Sequence, residues 1–153
     1  MCPSFHSGIR FALHRSNRRE EMVGSQIMKA EIQLTILVVD DDEVLGRVLG
    51  RVLGQQGHVV RRAESAAQAS ALAEGHSPHL ALIDLYLPDG NGFELARRLR
   101  EKHPGIQLIL MTAYPLILRD RPHLAEEFNQ VLIKPLDLAD LRRAVGSTLA
   151  MCG

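Results

Sequence analysis

From residue 34 onward the chain alternates short, wholly apolar runs with longer segments whose apolar positions recur every three or four residues. Leu34–Val39 is rich in Leu, Ile and Val and stops abruptly at Asp40, Asp41 and Asp42, the pattern of a buried strand. The next segment, Glu43–Gln56, puts Val44, Leu45, Val48, Leu49, Val52 and Leu53 on one helical face before meeting Gly57, a helix stop. Its repeated Leu-Gly-Arg-Val is four-residue helical periodicity rather than a structural repeat. Gly46, Gly50 and Gly54 each cost about 1 kcal/mol relative to Ala in a helix interior, so they either admit a close neighbour or are simply tolerated.

The alternation continues with a second strand, His58–Arg62, and a helix Ala66–Glu74 capped by Ser65 and ended by Gly75. A third strand, Leu80–Asp84, leads through the turn cluster Pro88–Gly92 to a helix Phe93–Lys102. Ile106–Met111 is the fourth strand. The helix after it, around Leu116–Phe128, is broken by Pro115 and Pro122 and should be short or mobile. Gln130–Ile133 is the fifth strand, and Asp137 caps a last helix, Leu138–Leu149. Five strands alternating with five helices predict an α/β fold: a doubly wound five-stranded parallel sheet in flavodoxin-like order, covered on both faces.

Composition agrees with a single soluble domain, at 46% apolar and 24% charged residues with zero formal net charge. The apolar runs are a few residues long, far below the roughly 20 that a membrane span needs. A direct nucleic-acid binder would carry a basic excess that this chain lacks. Cys2 and Cys152 lie at opposite ends without metal-ligand spacing, so a reducing, cytoplasmic location is expected. Charge is unevenly spread: residues 1–30 carry five basic and two acidic side chains, residues 31–153 carry 13 and 16. Residues 1–31 are therefore read as a flexible N-terminal extension and 32–153 as the folded domain. A misplaced start with initiation at Met22 or Met28, a genuine tail and an organelle presequence are three open readings of the extension.

In an open doubly wound sheet, ligands bind outside the carboxyl ends of the strands. There the chain places Asp40, Asp41 and Asp42, then Asp84, Thr112 and Lys134. Clustered carboxylates repel and call for a cation, and all-oxygen donors select a hard one such as Mg²⁺. A carboxylate beside that metal is a competent nucleophile toward phosphorus once charge on the phosphoryl oxygens is neutralised. Lys134 and Thr112 are residue types suited to that neutralisation, as a point charge and a hydroxyl donor.

Taken together, Ile-Leu-Val-Val-Asp-Asp-Asp, Ile-Asp-Leu-Tyr-Leu-Pro-Asp-Gly-Asn-Gly, Met-Thr-Ala and Lys-Pro, in this order and spacing over residues 34–149, resemble a response-regulator receiver domain of two-component signalling. The resemblance implies the (βα)5 receiver fold with Asp84 as phosphoacceptor. It implies Asp41 and Asp84 as metal ligands, Asp40 as partner of a metal-bound water, and the Tyr86 carbonyl as a third protein ligand. Thr112 would hold a phosphoryl oxygen and shift on activation. Lys134 would pair with the acceptor and its phosphate, next to a cis bond to Pro135. The phosphoryl donor would be a sensor histidine kinase or a phosphotransfer protein, with contacts mainly from the first helix and nearby loops. No output domain is expected, so signalling would run through binding of another protein or onward phosphotransfer, with self-phosphorylation and autodephosphorylation the only catalysis.

The chain departs from the family pattern in three places. Val131 stands three residues before Lys134, where the family usually has Tyr or Phe. Tyr86 and Tyr114 stand two positions after the acceptor and two after the threonine, and their rings are expected to restrict the attacking water. Leu116, Ile117 and Leu118, beside Pro115, either form a partner patch or pack under the loop. Asp42 is expected to cap the first helix, and the seven His residues are expected on the surface or in loops. Two other functions compete. A haloacid-dehalogenase-type phosphohydrolase would use Asp40 as nucleophile and Asp42 as acid, leaving Asp84 unexplained. A receiver-like module that takes no phosphate would act by interaction alone.

Overall fold

The computed structural model describes residues 10–13 and 30–152. Most of the expected N-terminal extension lies outside them. The parts inside are two strands, β1 (Arg10–Leu13) and β2 (Ala30–Gln33), which pair antiparallel with Arg10 opposite Gln33.

The remaining strands are β3 (Thr35–Val39), β4 (Val59–Ala63), β5 (Leu80–Asp84), β6 (Tyr86–Leu87), β7 (Gly90–Asn91), β8 (Gln107–Thr112) and β9 (Gln130–Ile133). The helices are α1 (Glu43–Gln55), α2 (Ala66–His76), α3 (Gly92–Lys102), α4 (Leu116–Asp120) and α5 (Leu138–Cys152). Five strands form one sheet in the order β4-β3-β5-β8-β9, with every pair parallel. β6 and β7 make a small antiparallel pair of their own, where the sequence predicts only a turn.

Strand periodicity explains the two layers. Leu37, Val39, Ala81, Ile83, Leu108 and Leu110 point to one face and bury α2 and α3 through Ala66, Ala69, Ala73, Phe93, Leu95 and Leu99. Ile36, Val38, Leu80, Leu82, Ile109 and Met111 point to the other and bury Leu49 and Leu53 of α1 and Leu141, Ala144 and Val145 of α5. The central strands thus need apolar residues at every position, which is why they appear as continuous runs in the sequence.

Helix ends differ from expectation in detail. α1 stops at Gln55, with Gly57 at φ +94°, a left-handed conformation that suits glycine. α2 runs through Gly75 to His76 and is ended by Ser77 at φ 43°, just before Pro78. The fourth helix is short as predicted: α4 has five residues, and Pro122 opens a 3-10 helix, Pro122–Glu127. Asp137 caps α5, accepting from the Ala139 N–H at 2.6 Å.

Two of the histidines expected on the surface or in loops do lie in loops, but away from the surface. His58 and His79 are buried. They sit just before β4 and β5, and their Nδ1 atoms accept from the backbone N–H groups of Leu34 (3.1 Å) and Thr35 (2.9 Å) at the entry to β3. A side-chain acceptor there satisfies amides that would otherwise be buried unpaired, a reason for burial that apolar periodicity does not reveal.

Candidate phosphoacceptor site

The polar residues at the carboxyl ends of four neighbouring strands meet at one end of the sheet. Asp40 follows β3 and is 3% exposed. Its backbone N–H donates to the Ala63 carbonyl (3.0 Å), its Oδ1 accepts from the Asp42 N–H (2.9 Å), and its Oδ2 accepts from Lys134 Nζ (2.6 Å). Both oxygens are therefore engaged. Asp84 ends β5, pairs in register with Met111, and lies 3.3 Å from Lys134 Nζ through Oδ1. Asp41 is exposed, and one carboxylate oxygen from each of Asp40, Asp41 and Asp84 lies within 4.8 Å of the others.

Thr112 ends β8 and is fully buried. Its carbonyl accepts from the Lys134 N–H (2.8 Å) and its Oγ1 from the Tyr114 N–H (2.9 Å), which joins the ends of β8 and β9. The Lys134–Pro135 peptide is cis. Burial raises the Asp84 pKa above the ordinary carboxylate value, and the charge of Asp40 adds to the effect against the opposing pull of Lys134. For Lys134 burial works against the ammonium, but its hydrogen bond to Asp40 and the charges of Asp40 and Asp84 outweigh it and hold the pKa above the usual lysine value. Asp40 and Asp84 thus share one ammonium with Asp41 beside them, and the charge left over is negative. Oxygen donors at this spacing fit a small, hard divalent ion such as Mg²⁺.

Asp42 does not join the cluster. Its side chain accepts from the Leu45 N–H (3.1 Å) and caps α1. The hydrolase alternative thereby loses its acid. Tyr86 and Tyr114 are exposed, and their rings meet edge to face with centroids 5.4 Å apart. Ile117, Leu118 and Val131 are half-buried against the core, while Leu116 is exposed, so the apolar triplet is mostly packed rather than a free patch.

The family model of the response regulator receiver domain matches residues 36–146. The chain belongs to the response regulator receiver domain family. Receiver domains are phosphoacceptor modules that bind Mg²⁺ at an acidic pocket and interact with histidine kinases or phosphotransfer proteins. Among relatives, the photosynthetic apparatus regulatory protein RegA of Cereibacter sphaeroides is 32% identical over 111 residues, covering 72% of this chain and 60% of that protein. A 14.6 kDa protein of Leptolyngbya boryana is 38% identical over 120 residues, covering 77% of this chain and 92% of that one. The chain thus spans about 60% of the length of the RegA proteins it matches. Among solved structures, a CheY-like receiver domain protein from Methanospirillum hungatei superposes with a TM-score of 0.72 at 28% identity, covering 78% of this chain and 95% of that chain. The response regulator TrrA of Thermotoga maritima, in complex with Mg²⁺ and BeF, gives 0.69 at 25% identity, covering 76% and 99%.

Three features of the site had escaped the sequence reading. Asp89 accepts from the Ala66 N–H through Oδ1 (2.8 Å) and from the Ala67 N–H through Oδ2 (2.9 Å). Asn91 caps α3 through the Glu94 N–H (3.0 Å). Gly92 lies so close to Asp84 that a Cβ there would stand 2.4 Å from the Asp84 carbonyl oxygen. The Pro-Asp-Gly-Asn-Gly string signals a turn, but the partners of Asp89 lie 22 and 23 residues earlier, beyond any local pattern.

Proposed function

We propose that the chain takes a phosphoryl group from a phosphohistidine onto Asp84 in a Mg²⁺-dependent reaction. One observation carries this reading: Asp40, Asp41 and Asp84 converge with Lys134 at the carboxyl edge of the sheet. An Asp84 carboxylate oxygen attacks phosphorus, the P–N bond breaks, the imidazole leaves, and an acyl phosphate forms. Asp41, Asp84 and the Tyr86 carbonyl would hold Mg²⁺, with Asp40 partnering a metal-bound water. Bound there, the ion supplies positive charge beside the transferring phosphoryl oxygens. Lys134 supplies a second positive charge, and the Thr112 hydroxyl offers a donor to a phosphoryl oxygen.

Residues 32–153 form the signalling unit in this reading, with residues 1–31 an extension. The site acts only as phosphoacceptor and in autodephosphorylation, and the phosphorylated form signals from the cytoplasm by protein binding or onward phosphotransfer. No helix among the described residues is long and apolar enough to cross a membrane. The donor protein is expected to dock on α1 and the loop leading into α5, where Val48 of α1 and Leu138 at the start of α5 are exposed on an apolar groove of about 480 Å³.

The test is incubation with Mg²⁺ and a small acyl- or amidophosphate donor, followed by intact mass and borohydride trapping. A Mg²⁺-dependent adduct on Asp84 that is lost in Asp84→Asn is the expected result. Phosphate on Asp40, turnover unaffected by Asp84→Asn, or no adduct despite Mg²⁺ binding would overturn the proposal.

A further inference from the structure

We propose that Asp89 is a positioning residue for the phosphoacceptor site, its carboxylate tying the loop that carries Asp84 and Tyr86 to the start of α2. The inference rests on the assignment of Asp84 and the Tyr86 carbonyl as metal ligands.

The loop from Asp84 to Gly92 folds back on itself and is fixed at its base. The Gly92 N–H donates to the Leu85 carbonyl (2.8 Å), Tyr86 pairs with Asn91 and Leu87 with Gly90. At the tip the hydrogen bonds leave the loop: both carboxylate oxygens of Asp89 accept backbone N–H groups of α2, from Ala66 and Ala67. Those two N–H groups hold the Asp89 carboxyl below its usual pKa, Ala67 contributing most. The bonds are therefore charge-assisted at neutral pH.

α2 has a cap of its own, because Ser65 Oγ accepts from the Gln68 N–H (3.1 Å). Asp89 supplies the acceptors for two further N–H groups from 22 and 23 residues away, which links two parts of the chain and not only one helix end. The anchor itself is firm, since Ala66, Ala69 and Ala73 of α2 are buried against the sheet. A loop pinned at base and tip holds the Tyr86 backbone at a fixed distance from the Asp84 carboxylate. Outer partners that orient metal ligands typically change affinity by 10- to 100-fold when removed.

The test uses the full chain and titrates Mg²⁺ alone, by calorimetry and by tyrosine emission. With two Tyr and no Trp, that emission reports Tyr86 and Tyr114 only. Asp89→Ala is expected to weaken Mg²⁺ binding roughly 10-fold. Asp89→Asn keeps one acceptor oxygen and should fall between it and the wild type, and it carries the test should Asp89→Ala fold poorly. Ser65→Ala removes the other cap of the same helix and should leave the Mg²⁺ affinity unchanged. Unaltered affinity in both Asp89 variants, or an equal loss in Ser65→Ala, overturns the proposal. A wild type whose Mg²⁺ affinity does not respond to Asp84→Asn overturns the metal-site assignment, and the proposal with it.

Discussion

Alanine substitution of two glycines should have opposite effects, and the contacts set the signs. At Gly92 an added Cβ would lie 2.4 Å from the Asp84 carbonyl oxygen, 3.2 Å from its carbonyl carbon and 3.1 Å from Ile83 Cγ2. Real Cβ atoms essentially never approach closer than 3.0 Å, so helix and strand must separate by at least about half an ångström. The atom that comes too close, the Asp84 carbonyl oxygen, belongs to the backbone of β5, whose residues are all buried, so it cannot swing away as the end of a flexible side chain could. Overpacking of this kind costs about 3 kcal/mol at the upper end of its range. In a domain of this size that lowers Tm by roughly 6–12 °C. At Gly50, in the middle of α1, the nearest atoms to an added Cβ are Arg62 Cδ at 3.6 Å and Val60 Cγ1 at 4.0 Å, ordinary contacts. Gly50→Ala should therefore gain up to about 1 kcal/mol of helix propensity, raising Tm by roughly 2–4 °C. Thermal and urea denaturation without Mg²⁺ measures both. Gly92→Ala melting with the wild type, or Gly50→Ala melting below it, would refute the reasoning.

The site and the buried histidine give further expectations. Lys134→Ala leaves Asp40 and Asp84 without their ammonium and should lower stability by about 2 kcal/mol, less than for a fully buried pair because Lys134 reaches solvent; an unchanged urea midpoint argues against it. Asp84→Asn should stabilise the metal-free protein by about 1 kcal/mol and lose that advantage in saturating Mg²⁺, and a variant less stable than wild type without Mg²⁺ would contradict this. Burial holds the His79 pKa below the ordinary histidine value of 6.5, so below pH 6.5 the unfolded chain takes up a proton that the folded one refuses. The urea midpoint should therefore fall from pH 7 to pH 5.5, with a shallower slope in His79→Asn; equal slopes would rule His79 out as the source. If the Tyr86 and Tyr114 rings restrict the attacking water, Tyr86→Asn combined with Tyr114→Glu should shorten the phosphoryl half-life, and an equal or longer half-life would dispose of that role.

The central strands were legible because a parallel sheet buried on both faces demands unbroken apolar runs, and β3, β5 and β8 each lead into or end at a polar residue, Asp40, Asp84 or Thr112, that cannot be buried without a partner. Those three residues stood out for that reason. Asp42 was legible too, since helix caps follow a local rule. Long-range partners of single side chains were not. Asp89 looked like a turn residue, and His58 and His79 like loop residues, because the amides they serve lie 22 to 44 positions away. The glycines of α1 and Gly92 look alike in sequence, and only the packing around each separates tolerance from necessity.

The opposite signs expected for Lys134→Ala and Asp84→Asn come from one arrangement of charge. β3 and β5 are central strands whose ends lie at the rim of the core, so a carboxylate placed there gives up much of its hydration. Asp40 recovers that loss through the Lys134 ammonium at 2.6 Å and the Asp42 N–H at 2.9 Å. Asp84 recovers less, because it shares the same ammonium at 3.3 Å and faces both Asp40 and Asp41. A second lysine in place of Asp41 would balance the pocket, and the chain carries instead a third carboxylate. Charge left unbalanced in this way lowers stability without metal and raises affinity for a divalent cation by the same interactions, so the least comfortable carboxylate in the fold is also the one that a cation relieves most.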